Sequence, residues 1–171
     1  MIQSSATEDL LFVPLGGAGE IGMNLNLYGY GPKDEETWVM VDLGVTFSGG
    51  ELPGVDIILP DPTFIEKSRD RLAGLVLTHA HEDHIGAVQY LWPRLKCPIY
   101  ATSFTLSVLR RKLSETDFAD EIEIIELPLS GVFQIGPFKM ELITLTHSIP
   151  EPNAIAITTP AGTVIHTGDW K

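Results

Sequence analysis

The chain of 171 residues has a single cysteine, Cys97, which excludes a disulfide framework and a thiolate metal cage. That usage fits a reducing compartment, and the cytoplasm is the expected location. Basic residues are scarce: Lys and Arg total 11 against 23 Asp and Glu, a formal net charge of -12. Bulk charge of this sign repels phosphate, which excludes a surface that grips nucleic acid unaided. Long apolar runs are missing too, since Pro, Gly or a charge interrupts each within a few residues. The opening Met1-Ile2-Gln3-Ser4-Ser5-Ala6 has no basic apolar leader, so neither membrane insertion nor export is expected. Internal repeats, heptads and domain linkers are also lacking, which leaves one mixed α/β domain over residues 1–171 as the simplest organisation.

Hydrophobic residues make up 44% of the chain, enough for a real core. Residues 10–15, 24–30 and 37–41 read as strands of an antiparallel meander, separated by glycine turns and the polar stretch 31–36. A short helix is predicted from Asp61-Pro62, with Asp61 as cap and Pro62 in the first turn. Residues 74–78 follow as a buried strand, 85–92 as a helix stopped by Pro93, 98–101 as a strand and 103–113 as a helix. The middle is therefore β-α-β-α. Strands are expected again over 122–127, 131–135, 138–146, 154–159 and 163–167, the last two joined across Pro160-Ala161-Gly162. Surface loops are expected at 48–54 and 114–120.

Gly17-Ala18-Gly19-Glu20-Ile21-Gly22 spells the glycine fingerprint of a dinucleotide site, and Asp42 lies about 20 residues further on. The fingerprint requires a helix opening inside it, because the pyrophosphate sits on helix N-terminal amides. Residues 24–30 alternate like a strand, and Gly29, Gly31 and Pro32 break any helix. The glycines are read instead as a tight turn where backbones approach closely.

The chemistry concentrates in His79-Ala80-His81-Glu82-Asp83-His84, three imidazoles and two carboxylates in six residues, between a buried strand and a helix. His79 and His81 can converge on one ion from extended or looped backbone, while Asp83 and His84 in the next helical turn can face a second. Glu82 is assigned to solvent or to a supporting position. A first ion held by His79 and His81 lacks a third protein ligand, and His147, at the end of a predicted strand, is the best supplier. His166 is open between ligand and support, with support favoured. Asp169 either bridges two cations or is a turn residue after Gly168. Nitrogen and oxygen donors without sulfur suit Zn²⁺ or Mn²⁺. Arg110-Arg111-Lys112 reads as a solvated helix face rather than a phosphate track.

The HxHxDH stretch, Val41-Asp42-Leu43-Gly44, His147 and Thr167-Gly168-Asp169 resemble the successive motifs of the metallo-β-lactamase superfamily. Residues 15–24, 77–87 and 166–171 resemble its ribonuclease J branch more closely than other branches. The resemblance implies an αββα sandwich and a dinuclear site, most often zinc, with Mn or Mg as alternatives. His79, His81 and His147 would hold one ion and Asp83 and His84 the other, with Asp169 bridging and Asp42 a supporting carboxylate. Asp83 would also position the attacking water or accept its proton. The implied activity is metal-dependent hydrolysis of RNA phosphodiesters, exonucleolytic from the 5′ end, endonucleolytic or both.

Ribonuclease J enzymes resemble longer chains, in which a β-CASP domain is inserted after this point and the metallo-β-lactamase fold then resumes. Residues 1–171 are therefore expected to be the N-terminal portion of the catalytic domain of a homo-oligomeric parent acting on RNA. By itself this portion would lack strands of the second sheet and a ligand to the second ion. The alternatives are another hydrolase of this fold acting on a small ester, thioester or lactone, and a non-catalytic metal-binding fragment.

Overall fold

The computed structural model describes residues 8–50 and 53–171. Strands β1 (Asp9–Gly16), β2 (Leu25–Gly31) and β3 (Thr37–Val41) pair antiparallel in chain order, as the alternation predicts. Two short strands follow, β4 (Thr46–Phe47) and β5 (Ile57–Ile58), paired with each other alone. Next come α1 (Thr63–Glu66), β6 (Leu72–Val76), α2 (Glu82–Ile85), α3 (Val88–Leu95), β7 (Ile99–Thr102), α4 (Ser103–Leu113) and β8 (Ile124–Leu127). A parallel pair needs a crossover, and the intervening helices supply it: β3, β6, β7 and β8 run parallel in a sheet of order β1-β2-β3-β6-β7-β8. The chain closes with β9 (Val132–Ile135), β10 (Phe138–Thr144), β11 (Asn153–Thr159) and β12 (Gly162–His166), an antiparallel sheet of order β12-β11-β10-β9.

Period-2 alternation sorts the first sheet's residues into two cores. On β3, Trp38 and Met40 face the helices, where Ile65, Ile85, Leu91, Trp92, Leu106 and Leu109 complete one buried cluster. Val39 and Val41 face the second sheet, where Met140, Leu142, Ile155 and Ile157 complete the other. All four helices contribute to the first cluster, so helices, first sheet and second sheet stack as three layers. The outer side of the second sheet carries exposed Val132 and Ile165. No helix among the described residues is long and apolar enough to cross a membrane.

Several boundaries differ from expectation. Pro93 does not stop its helix: α3 continues to Leu95 and ends at Lys96, which has a left-handed φ of 53°. The stripe of Val88, Leu91, Trp92 and Leu95 is buried, and the Trp92 indole N–H donates to the Cys97 carbonyl at 2.7 Å. This packing outweighs the amide bond that proline forgoes. Pro62 takes the N-cap position of α1, while Asp61 accepts from the Thr63 amide at 2.9 Å and so does a cap's work one residue early. The strand placed over 138–146 ends at Thr144: the Leu145 amide still donates to the Pro152 carbonyl, but proline has no N–H to return the bond. Residues 17–22 form bends and open no helix, and a Cβ on Gly17 would lie 2.2 Å from Asn24 Oδ1. The glycine is required there by close approach.

Candidate metal centre

The site lies where β3, β6 and β12 end. Beyond β3 the chain makes a sharp corner at Asp42, which holds a left-handed φ of 63° although fully buried. The next residues clamp the turn that carries Asp83 and His84. Leu43 N–H donates to the His84 carbonyl, Val45 N–H to that of Glu82, and a Cβ on Gly44 would stand 1.6 Å from the Asp83 carbonyl oxygen. Only glycine fits at that position. Asn24 donates to the same carbonyl from its backbone amide and its Nδ2, each at 3.0 Å.

Two groups of ligand atoms result, each within 4.8 Å: His79 with His81 and His147, and His79 with His84 and Asp169. In the first, His79 Nε2 lies 3.0 Å and His147 Nε2 3.2 Å from His81 Nδ1. One lone pair on His81 Nδ1 cannot serve two donors well, and one proton there cannot serve two acceptors well. A cation at their meeting point satisfies all three nitrogens, so the residues present fit a metal ion. In the second group, His84 Nε2 stands 3.5 Å from Asp169 Oδ2 and 3.6 Å from Asp83 Oδ2. Asp169 Oδ2 is also 3.7 Å from His147 Nε2, which sets it between the two groups.

Asp42 coordinates neither group but organises the base of the site. Its carboxylate accepts from His84 Nδ1 at 2.7 Å and from the Thr78 amide at 2.8 Å. Burial works against its charge, yet the adjacent His84 holds its carboxyl below the usual range. For His84 burial likewise opposes the proton, and the Asp42 charge with the Asp169 hydrogen bond overrides it, pushing the imidazole up to about 10. The hydrogen bond from His84 draws Asp169 down to about 2. His79 goes the other way, to about 4, through burial first and the neighbouring His84 second. His81 is lowered by burial and by His147.

His79, His81, His84, His147 and Asp169 thus meet in the two groups, with the Asp83 carboxylate alongside His84. His166 stands apart, its Nδ1 3.1 Å from the Tyr28 hydroxyl, and burial lowers its pKa. Glu82 points away to Lys112, whose ammonium donates to its Oε1, so Lys112 leaves the solvated face where Arg110 and Arg111 remain exposed. Sequence reasoning missed Asn24 and Thr78. The signals available were their places in the stretches 15–24 and 77–87 that resemble ribonuclease J and, for Thr78, its position directly before His79. Asn24, Tyr28, His84, His166 and Asp169 line an open cleft of about 540 Å³ beside the site.

A sequence profile of the metallo-beta-lactamase superfamily matches residues 28–170. The chain belongs to that superfamily. It is 52% identical over 164 residues to Ribonuclease J of Sinorhizobium meliloti, covering 96% of this chain and 29% of that protein. It is 40% identical to Ribonuclease J of Helicobacter pylori (strain 26695), covering 92% and 22%, and 36% identical to that of Thermus thermophilus, covering 99% and 30%. The chain therefore spans less than a third of the length of these relatives. Among solved structures, a protein of unknown function from Enterococcus faecalis aligns with a TM-score of 0.63 at 20% identity, over 95% of this chain and 44% of that one. The metallo-beta-lactamase fold protein YhfI from Bacillus subtilis aligns at 0.59 and 18% identity, over 90% and 59%. These two likenesses, both below 25% identity, show the fold alone.

Proposed function

We propose that this chain is the N-terminal portion of the catalytic domain of a metal-dependent hydrolase that cleaves RNA phosphodiesters, as a 5′-to-3′ exonuclease, an endonuclease or both. The observation that carries the reading is the pair of ligand groups sharing His79, in a chain 52% identical to a Ribonuclease J. His79, His81 and His147 would hold one divalent ion and His84 with Asp83 the other, Asp169 lying between. Zinc suits the three imidazoles, and manganese or magnesium the carboxylate-rich second group. A bound pair of such cations supplies Lewis acidity, polarising a phosphodiester and making water nucleophilic near neutral pH.

The chain's own residues supply the rest. Asp83, whose Oδ2 lies 3.6 Å from His84 Nε2, would orient the water and take its proton on the carboxylate oxygen not turned to the ion. Asn24 and Gly44 fix the backbone that aims this carboxylate. The net charge of -12 supports a basic RNA surface outside these residues, in the rest of what would be a cytoplasmic, homo-oligomeric parent carrying the β-CASP insert. The same charge favours, as a second reading, a hydrolase of a small uncharged ester, thioester or lactone.

The test is turnover of 5′-monophosphorylated RNA by the full-length protein. Activity that is metal-dependent and falls about 10²–10⁴-fold in Asp83→Ala, with an unchanged thermal midpoint, supports the proposal. Intact RNA alongside hydrolysed thioester or lactone hands the assignment to the second reading.

A further inference from the structure

The two ligand groups share more than His79. Behind them sits Thr78, fully buried, with its hydroxyl oxygen 2.9 Å from Asp42 Oδ2, 3.0 Å from His79 Nδ1 and 3.4 Å from His84 Nδ1. The Asp42 carboxylate also accepts from the Thr78 amide and from His84 Nδ1. A carboxylate only accepts, so the hydroxyl spends its single proton on Asp42 and turns a lone pair outward. The partner of that lone pair is His79 Nδ1, which must then carry the proton, leaving His79 Nε2 bare toward His81. Thr78 is itself held in place, since its carbonyl accepts from the Asn153 amide at 3.2 Å and from Asn153 Nδ2 at 3.3 Å.

We infer that Thr78 is a positioning residue whose hydroxyl relays the acceptor character of Asp42 to His79, so that one buried carboxylate orients an imidazole in each ligand group. His84 is oriented directly and His79 through one intervening hydroxyl. The inference extends the metal-centre reading and rests on it, because a fixed tautomer matters when Nε2 must present a lone pair to a cation. Valine at position 78 keeps the shape and removes the relay: His79 loses its partner and is free to put the proton on Nε2. Serine retains it.

The experiment compares the full-length protein with its Thr78→Val and Thr78→Ser variants by competing zinc against a chromophoric chelator and by recording the visible spectrum after cobalt loading. Thr78→Val is expected to weaken zinc binding about 10–100-fold and to alter the cobalt bands, while Thr78→Ser stays at the unsubstituted values. A purely packing role would lower the metal-free thermal midpoint of Thr78→Val and leave affinity and spectrum alone, and that result overturns the inference. Should Thr78→Val not fold, nitrogen-15 NMR of the unsubstituted, metal-free protein decides: a proton on His79 Nδ1 supports the relay and one on Nε2 overturns it. Failure of the unsubstituted protein to take up zinc or cobalt would overturn the metal reading, while the tautomer still judges the relay.

Discussion

The two ligand groups use His79 in common and are otherwise unlike. The first is all imidazole, drawn from the ends of β6 and α2 and from the loop between β10 and β11, and its strain is the crowding of three ring nitrogens. The second is an imidazole among carboxylates, anchored below by buried Asp42 and open above at Asp169, whose side chain is 44% exposed. Burial keeps His79 neutral in the first group, whereas a buried carboxylate keeps His84 charged in the second. The first and last histidines of one short stretch thus arrive in opposite protonation states. The contrast teaches that burial strips an imidazole of its proton and readies it for a cation unless a carboxylate bonded directly to the ring overrides the burial.

The largest effect that could break this comparison comes from the shared residue. If two ions bind as proposed, His79→Ala should lose the first ion outright and weaken the second, which loses the imidazole packed 4.0 Å from the His84 ring, while His81→Ala should remove the first ion and spare the second. Elemental analysis of the purified full-length variants measures both. Equal loss from the two substitutions would mean a single cooperative site and dissolve the distinction between the groups.

A smaller effect separates the groups by pH. In the metal-free protein His84 stays protonated up to about 10, so a cation arriving at its Nε2 must displace a proton, whereas His79, at about 4, has none to lose at neutral pH. Affinity at the second group should therefore rise about tenfold per pH unit between pH 7 and 9, with about one proton released per ion. Calorimetry in buffers of different ionisation heat reads that proton. Stability of the metal-free fold should move the opposite way. The folded His84 value is raised above the ordinary 6.5, so its contribution is full below that value and is lost as pH rises through about 10. A metal-free thermal midpoint that climbs over pH 7–10 would contradict the assignment.

Much of this was legible beforehand because regular signals carry it. Alternation located the long strands, and histidines packed into six residues announced the centre. The pair β4 and β5 escaped because two-residue strands offer no period to detect. Pro93 misled because local propensity was overridden by the buried stripe on α3, a tertiary term. The inclusion of His79 in the second group depends on how the ends of β6 and β12 meet across the sandwich, which no spacing along the chain encodes. Thr78 and Asn24 were missed for a similar reason: an isolated polar side chain acquires its role from partners 36 and 59 residues away.

The smallest effect sharpens the comparison by its near absence. Glu82 lies between the ligands of the two groups in sequence, and a carboxylate there is a natural suspect as a third ligand to the second ion. Its side chain instead leaves the site for Lys112 on α4, in a pair whose carboxylate side is 46% exposed and whose ammonium side is 21% exposed. A pair so open to water contributes about 1 kcal/mol or less, because solvent screens the charges and both long side chains lose freedom. The part of Glu82 that matters to the centre is its backbone, whose carbonyl accepts from Val45 and Gly86 whatever the side chain. Glu82→Gln should therefore leave metal content and the proposed turnover of RNA at the unsubstituted level, and lower the thermal midpoint by at most a few degrees. Loss of the second ion in Glu82→Gln would place this carboxylate among the ligands, and Asp83 would no longer be needed to explain how that ion is held.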